Sequence, residues 1–231
     1  MTGKVYGLGL GPGDPELVTM KAVRLLGTVP VVAYPESQKG GSFAREIAAA
    51  YIPATATLVP LDTPMAIDTA VAQARYDAHA EIVAAHLDAG RDVALLCEGD
   101  PFLFGSFMYL YDRLADRYEV EVVPGVSSIT ACAAAAGLPL CGREDILTVL
   151  PGTLPEEVLE RELAQTSAAV IMKVGRHLPK IRRVIDKLGC TGGATYVERA
   201  LNPGQRVVPL ARLAGDAAPY FSVILVFRDT D

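Results

Sequence analysis

Two turns in the sequence place a Gly-Asp step shortly after an apolar run. Residues 7–15 read GLGLGPGDP and include Asp14, and residues 95–105 read LLCEGDPFLFG and include Asp100. Glycine lets a ligand approach the backbone closely, and a carboxylate holds a cationic group through charge-assisted hydrogen bonds. Because both apolar runs are typical of buried strands, we expect the two turns at one edge of one sheet. The pattern predicts a small-molecule site.

The first turn does not fit the glycine pattern that binds the pyrophosphate of a dinucleotide. If the pattern G-x-G-x-x-G starts at Gly7, Pro12 occupies the position of its last glycine. If it starts at Gly9, Asp14 occupies that position. Pro12 has no N–H for a phosphate, and Asp14 would repel an anion. The chain also contains no G-x-x-x-x-G-K-[ST] stretch. These patterns argue against a dinucleotide site and a Walker-type nucleotide site.

Composition and charge narrow the range of partners. The 231 residues are 51% hydrophobic and carry a formal net charge of -6, which disfavours general binding to nucleic acid. Residues 122–142 contain no charge, but Pro124 and Pro139 interrupt them below the roughly 20 apolar residues that a membrane helix needs. We expect no secretory signal peptide, because Pro12 interrupts the apolar run that begins at Val5. We therefore expect no nucleic-acid partner, no membrane partner and a cytoplasmic location.

No group of residues has the spacing of a metal site. The cysteines form no C-x-x-C, and only three histidines could join them. We expect no bound metal, and we expect the cysteines to be buried reduced thiols. His79 and His86 lie on one face of a predicted helix, which predicts partly solvated surface positions. The cysteines are Cys97, Cys132, Cys141 and Cys190.

Strand-like and helical segments alternate along the first part of the chain, which predicts a mostly parallel sheet covered by helices. Ser42 and Asp68 are predicted N-caps of two of these helices. Residues 137–142 are a predicted linker, and more closely spaced strands beyond them predict a mixed sheet. The sequence therefore predicts two α/β domains, residues 1–137 and 138–231, with a ligand cleft between them. The predicted strands are residues 5–10, 29–34, 57–61, 93–97, 119–123, 146–150, 168–174, 194–198, 207–210 and 220–227.

Six short motifs follow one another along nearly the whole chain. They are residues 9–19 (GLGPGDPELVT), 98–101 (EGDP), 124–128 (PGVSS), 172–173 (MK), 198–200 (ERA) and 221–223 (FSV). Their order and separation resemble the tetrapyrrole methyltransferases of cobalamin and sirohaem biosynthesis, which use S-adenosylmethionine. Residues 34–35, 37–50 and 105–110 further resemble the members that methylate a meso carbon of a reduced tetrapyrrole.

The resemblance implies the tetrapyrrole methylase fold of two α/β domains, a homodimer, and S-adenosyl-L-methionine as the methyl donor. It also implies contacts to the cofactor from both turns, from the start of the following helix and from the second domain. At Lys173 the chain departs from relatives that methylate uroporphyrinogen, which commonly carry Met there. The implied cofactor residues are Leu10, Gly11, Pro12, Gly99, Asp100, Leu103, Ser128, Ile129, Lys173, Ala200 and Phe221.

Three charged residues, Asp14, Arg176 and Arg183, are candidate contacts to a carboxylated tetrapyrrole. The two arginines belong to residues 173–183, the densest basic segment of an acidic chain, and arginine pairs with carboxylates through two parallel hydrogen bonds. A solvated helix face explains this segment equally well, and Asp14 can equally be the residue that starts a helix. Glu98 is left open between a buried acid and a solvated strand end.

The resulting hypothesis is an enzyme that transfers a methyl group from the sulfonium of S-adenosylmethionine to a meso carbon of a reduced tetrapyrrole. No residue is identified as the base that must take a proton from that carbon. One alternative is a related methyltransferase that acts at another tetrapyrrole position or on a protein residue. Another is a non-catalytic module that binds a nucleotide or a tetrapyrrole. The sequence leaves open whether the substrate contains cobalt.

Overall fold

The computed structural model describes residues 1–38, 40–63 and 69–228. The chain divides into two units, Met1–Ser127 and Ser128–Asp231. Each unit contains one five-stranded sheet with helices packed on it. Each of the ten predicted strands is present, with bounds that agree or differ by at most about three residues at either end. The predicted α/β class, with a parallel first sheet and a mixed second sheet, is confirmed.

The sheet of the first unit consists of parallel strands. They are β1 (Val5–Gly9), β2 (Val31–Ser37), β3 (Thr57–Thr63), β4 (Val93–Cys97) and β5 (Val120–Val123). Their order across the sheet is β3-β2-β4-β1-β5, and every pairing is parallel. The carboxyl ends of these strands therefore meet at one edge, where α/β sheets bind their ligands.

Helices cover both faces of this sheet. On one face lie α1 (Met20–Leu26) and α2 (Phe43–Ala48), and on the other lie α3 (Thr69–Asp88) and α4 (Phe107–Leu114). Successive side chains of β4 enter these two cores in turn, because a strand has a two-residue period. The segments that follow β1 and β4 leave toward opposite faces, which is the arrangement that opens a crevice at the carboxyl edge.

One of the two predicted N-caps can be checked in the structure. The Oγ atom of Ser42 accepts a hydrogen bond from the N–H of Arg45 at 3.2 Å, so the predicted cap of α2 is confirmed. The other predicted cap, Asp68, lies outside the described residues.

The second unit begins with α5 (Ser128–Ala136) and contains the mixed sheet. Its strands are β6 (Leu147–Pro151), β7 (Ala168–Met172), β8 (Ala194–Glu198), β9 (Arg206–Pro209) and β10 (Ser222–Phe227). Their order is β6-β7-β10-β8-β9; β6 and β7 are parallel, and β10 runs antiparallel to both of its neighbours. Two helices, α6 (Glu156–Ala164) and α7 (Leu178–Lys187), share a core with this sheet.

The division between the units falls before α5, whereas the sequence placed the boundary after residue 137. The reason is packing: α5 lies against β8 and β10 of the second sheet. The sequence could not show this, because an alanine-rich helix carries no information about which sheet it joins.

Two expectations about single residues are wrong. Cys97, Cys132 and Cys190 are buried, but Cys141 lies exposed in the segment before β6. His79 is only 3% exposed rather than partly solvated, because α3 packs on the sheet with this side chain inward. Among the described residues, no helix combines the length and apolar character that a membrane-spanning segment requires.

Candidate active site

The two glycine-bearing turns lie side by side at the carboxyl edge of the first sheet. β1 and β4 are paired along their whole length, up to Gly9 opposite Cys97. Beyond the strands, the Gly11 N–H donates to the Gly99 carbonyl oxygen at 3.2 Å, and the Gly99 N–H donates to the Gly11 carbonyl oxygen at 2.7 Å. The prediction that both turns share one edge is confirmed.

The loop after β5 closes against these turns at Gly125. The Gly125 N–H donates to Oδ2 of Asp100 at 3.1 Å, and the Phe102 N–H donates to Oδ1 at 2.9 Å. A Cβ atom on Gly125 would lie 2.0 Å from the Gly99 carbonyl oxygen, so only glycine allows this approach. Asp100 is therefore a turn-forming residue whose carboxylate is fixed in place, and each of its oxygens retains a lone pair for a cationic ligand.

Gly99 lies beside open space. Its φ of +65° is in the left-handed region that side chains rarely adopt. A Cβ built on Gly99 meets no heavy atom within 4 Å, whereas one built on Gly11 lies 3.2 Å from the Leu17 carbonyl oxygen. The bare backbone of Gly99 can thus be approached by a ligand, with the carboxylate of Asp100 next to it. This is a cradle for a small molecule with a cationic group.

The remaining cofactor residues predicted in this unit differ in what they can offer. The side chain of Leu10 is fully buried in the core on the α1/α2 face, so only its backbone can face a ligand. Pro12 and Leu103 are half-buried, and each keeps part of its surface available for contact. Contact between these residues and a cofactor stays a prediction, and the sequence could not tell a side chain that lines a site from one that lies in the core.

Asp14 has the structural role that the sequence allowed. Its Oδ1 accepts a hydrogen bond from the Glu16 N–H at 2.9 Å and so starts the short 3-10 turn Pro15–Leu17. The carboxylate is half-buried and retains further acceptor capacity. Contact between Asp14 and a substrate stays a prediction.

Glu98 follows β4 and directly precedes Gly99. The side chain of Cys97 enters the α3/α4 core, so the two-residue period directs Glu98 toward the α1/α2 face. Burial raises the pKa of Glu98, and no cationic side chain of the described residues offsets this effect. The backbone N–H groups of Glu98 itself and of Ala44, in the first turn of α2, act to lower the pKa of this carboxylate. The residue that the sequence left undecided is a partly buried acid with a raised pKa.

Three predicted cofactor residues of the second unit lie at one edge of its sheet. Because β10 is antiparallel to both β7 and β8, the carboxyl ends of β7 and β8 flank the amino end of β10. Lys173 follows β7, Ala200 follows β8, and Phe221 precedes β10. The Arg199 N–H donates to the Phe221 carbonyl oxygen at 2.9 Å, which joins two of these segments.

Backbone strain marks the same edge of the second unit. Lys173 has a φ of 54° and Arg199 a φ of 49°, both in the left-handed region. For residues other than glycine this conformation costs on the order of 1–3 kcal/mol, and such strain is concentrated at functional sites. Nothing in the sequence signals it, because neither residue is glycine.

The last two predicted cofactor residues form the first turn of α5. Ser128 is half-buried, and Ile129 is 8% exposed. A serine hydroxyl at a helix start can donate to a ligand, whereas a buried isoleucine offers apolar contact only.

The basic segment separates into paired and unpaired cations. Nη2 of Arg183 on α7 lies 2.7 Å from Oε2 of Glu156 on α6. Arg182 donates to the Gly215 carbonyl oxygen at 2.6 Å. Arg176, in the turn between β7 and α7, is exposed and has no hydrogen bond or ion pair with the residues that the structure describes. Arg176 is thus available to an external carboxylate, and Arg183 is engaged on the helix surface.

A second polar cluster lies on the α3/α4 face of the first sheet. Nε2 of His79 lies 3.0 Å from Oδ1 of Asp62, which also pairs with Arg75. These interactions lower the pKa of Asp62, chiefly through the hydrogen bond with His79. His79 lines a cavity of about 20 Å³, which has room for a single water molecule. No cluster of three metal-ligating side chains occurs in the part of the chain that the structure describes.

These features define a small-molecule enzyme of the α/β class with a cradle for a cationic ligand. The family model of tetrapyrrole (corrin/porphyrin) methylases matches residues 4–214. The chain belongs to this family and is a methyltransferase, so the resemblance seen in the sequence is confirmed.

Two relatives and one solved structure show which members of the family this chain is similar to. The chain is 46% identical to the precorrin-2 C(20)-methyltransferase of Sinorhizobium sp over 233 residues, which cover 97% of this chain and 95% of that protein. It is 33% identical to the cobalt-precorrin-2 C(20)-methyltransferase of Salmonella typhimurium over 229 residues, 98% of this chain and 97% of that protein. The solved uroporphyrin-III C-methyl transferase of Thermus thermophilus, complexed with S-adenyl homocysteine, has a TM-score of 0.71 and 27% identity, and covers 97% of this chain and 92% of its own.

Proposed function

We propose that this chain transfers a methyl group from S-adenosylmethionine to C-20 of precorrin-2, giving precorrin-3A, in cobalamin biosynthesis. The observation that carries the proposal is the bare backbone of Gly99 beside the fixed carboxylate of Asp100, in a chain of the tetrapyrrole methylase family. The Sinorhizobium relative supports the choice of precorrin-2, because its identity of 46% extends over 97% of the chain.

The residues of the two turns fit the methyl donor. S-adenosylmethionine supplies an electrophilic methyl group, and its methionine end carries an ammonium group. Asp100 would accept a charge-assisted hydrogen bond from this ammonium, while Gly99 allows the donor to approach the backbone, and Gly11 would act through the backbone pairing that holds Gly99 in place. We propose further contacts from the other residues that the resemblance implied, namely Leu10, Pro12, Leu103, Ser128, Ile129, Lys173, Ala200 and Phe221.

The chemistry requires alignment rather than a nucleophilic side chain. Holding the methyl group against the acceptor carbon and excluding water can supply much of the acceleration. Burial raises the pKa of Cys97 and Cys132 to about 12, so both thiols stay protonated and inert at neutral pH. We propose direct transfer from sulfur to carbon, with one inversion at the methyl carbon and no covalent intermediate on cysteine.

The substrate carries several carboxylates, and Arg176 in the basic segment is available to meet them. We propose that Arg176 pairs with a substrate carboxylate, because it is exposed and has no partner of its own in that part of the chain. The pairing with Glu156 disfavours the same role for Arg183. We propose the metal-free macrocycle as substrate, because identity is 46% to the precorrin-2 enzyme and 33% to the cobalt-precorrin-2 enzyme.

The decisive experiment supplies the purified protein with methyl-labelled S-adenosylmethionine and precorrin-2. We expect one labelled methyl group in the product, assigned to C-20 by NMR, and a slower reaction with cobalt-precorrin-2. Labelling at another carbon would favour a related methyltransferase, and binding without turnover would favour a non-catalytic module. Sedimentation equilibrium tests the homodimer that the resemblance implies.

A further inference from the structure

The loop that joins β8 to β9, residues 199–205, holds two residues other than glycine in the left-handed region. Arg199 has a φ of 49° and Leu201 a φ of 60°, and the two flank Ala200. Such a conformation is costly without glycine and persists only where the surrounding structure fixes it. Contacts outside the backbone of residues 199–201 must therefore hold this loop in shape.

The side chains of Gln205 and Asn202 supply these contacts, and we call the two side chains the brace. Oε1 of Gln205 accepts a hydrogen bond from the Leu201 N–H at 2.7 Å. Nδ2 of Asn202 donates to the Ala200 carbonyl oxygen at 2.9 Å. Chemistry fixes both amide orientations, because a backbone N–H pairs with the amide oxygen and a backbone carbonyl with the amide nitrogen.

The braced loop is longer than the connection between the two strands requires. Glu198 of β8 lies opposite Arg206 of β9 in the antiparallel pairing, so residues 199–205 join two positions that are already adjacent. A tight turn of about two to five residues commonly makes such a connection. A longer loop with a fixed conformation on a rigid sheet is typical of a segment that contacts a ligand.

The loop also presents a backbone donor beside a proposed cofactor residue. The Arg199 N–H donates to the Phe221 carbonyl oxygen at 2.9 Å, which ties the loop to the segment before β10. Ala200 is only 7% exposed, yet its N–H has no acceptor among the residues that the structure describes. Backbone donors in such surroundings normally have a partner, so an acceptor from outside the chain is the natural complement.

We propose that Gln205 and Asn202 are positioning residues for the methyl donor: they hold residues 199–201 so that the Ala200 N–H can donate to an acceptor atom of that molecule. The inference rests on the proposed function, in which Ala200 and Phe221 are cofactor residues. The brace itself does not touch the donor. It lowers the entropy that the loop would otherwise lose on binding, because the loop is already ordered.

The test measures the Kd of S-adenosylhomocysteine by calorimetry for alanine variants of both residues. Gln205→Ala and Asn202→Ala should each raise this Kd, and the KM for S-adenosylmethionine, by about 3- to 10-fold, the effect of one net hydrogen bond. At saturating donor, kcat and the KM for precorrin-2 should stay within about twofold. Because Gln205 is exposed, its Tm should change by no more than about 2 °C.

Conservative variants separate the brace from a merely structural role. Gln205→Glu keeps an acceptor oxygen on a side chain of equal length, so it should restore a Kd within about twofold of wild type. Asn202→Asp keeps the size but has only acceptors to place against a carbonyl oxygen, so it should bind no better than Asn202→Ala. Gln165→Ala, at the exposed end of α6, is the matched control and should bind as wild type does.

Three results would overturn the proposal. One is an unchanged Kd in folded alanine variants, and another is a Gln205→Glu variant that binds as weakly as Gln205→Ala. The third is an Asn202→Asp variant with wild-type affinity. If an alanine variant does not fold, the contrast between Gln205→Glu and Asn202→Asp decides. If wild type binds S-adenosylhomocysteine but never methylates precorrin-2, the proposed function has failed, and the Kd values still test the brace.

Discussion

Replacing Asp100 with alanine removes two hydrogen bonds and one charge from the cradle. The lost acceptors serve the N–H groups of Gly125 at 3.1 Å and Phe102 at 2.9 Å. A hydrogen bond to a charged group contributes about 1.5–3 kcal/mol, and Asp100 is only half-buried. We therefore expect the free energy of unfolding to fall by about 2–3 kcal/mol, which denaturation in urea measures.

The same change should weaken cofactor binding more specifically. Loss of one charge-assisted contact to the ammonium group corresponds to about 1.5–3 kcal/mol, or about 10- to 150-fold in the Kd of S-adenosylhomocysteine. Calorimetry measures this Kd under conditions where the variant is folded. Asp100→Asn preserves the shape but removes the charge, and it should lose most of the same affinity.

Asp112→Ala, at an exposed position of α4, provides the matched control and should change neither quantity. If folded Asp100→Ala bound S-adenosylhomocysteine as tightly as wild type, Asp100 would be only a turn-forming residue. If binding fell equally in the Asp112 variant, the loss would come from net charge rather than from the cradle.

The other predictions concern glycines, cations and pH. Gly99→Ala should fold with a loss of about 1–2 kcal/mol, because its Cβ meets no heavy atom within 4 Å but its φ of +65° strains alanine, and it should weaken S-adenosylhomocysteine binding. Gly125→Ala should be far less stable, because its Cβ would lie 2.0 Å from a carbonyl oxygen; thermal melts and calorimetry separate the two. Arg176→Glu should raise the KM for the tetrapyrrole with little change in cofactor affinity. Arg183→Glu should mainly lose its pairing with Glu156, so equal KM values in the two variants would contradict the proposed role of Arg176 in substrate binding. Because the folded pKa of Glu98 is raised above the ordinary value of 4.5, its contribution to stability declines as pH rises from that value through the folded pKa. Glu98→Gln should therefore gain in Tm relative to wild type over this window, and a constant difference in Tm would refute the raised pKa.

The sequence by itself determined the local elements of this protein. Each apolar run bounded by turn residues became a strand, and Ser42 caps α2 as expected, because these outcomes depend on neighbouring residues only. The failed glycine fingerprint and the two Gly-Asp turns also located the cradle at Gly99 and Asp100. Parallel strands joined by helices place the turns at their carboxyl ends along one edge of the sheet. This expectation requires only the order of strands and helices in the sequence.

The tertiary structure alone decided what those residues can do. The pKa of Glu98 is raised only because the folded chain partly buries its carboxylate. Arg183 and Arg176 look alike in the sequence, but only the packing of α6 against α7 places Glu156 beside Arg183. His79 is buried because α3 turns that face toward the sheet. Burial and charge pairing are set by residues distant along the chain, so a local pattern cannot determine protonation or availability.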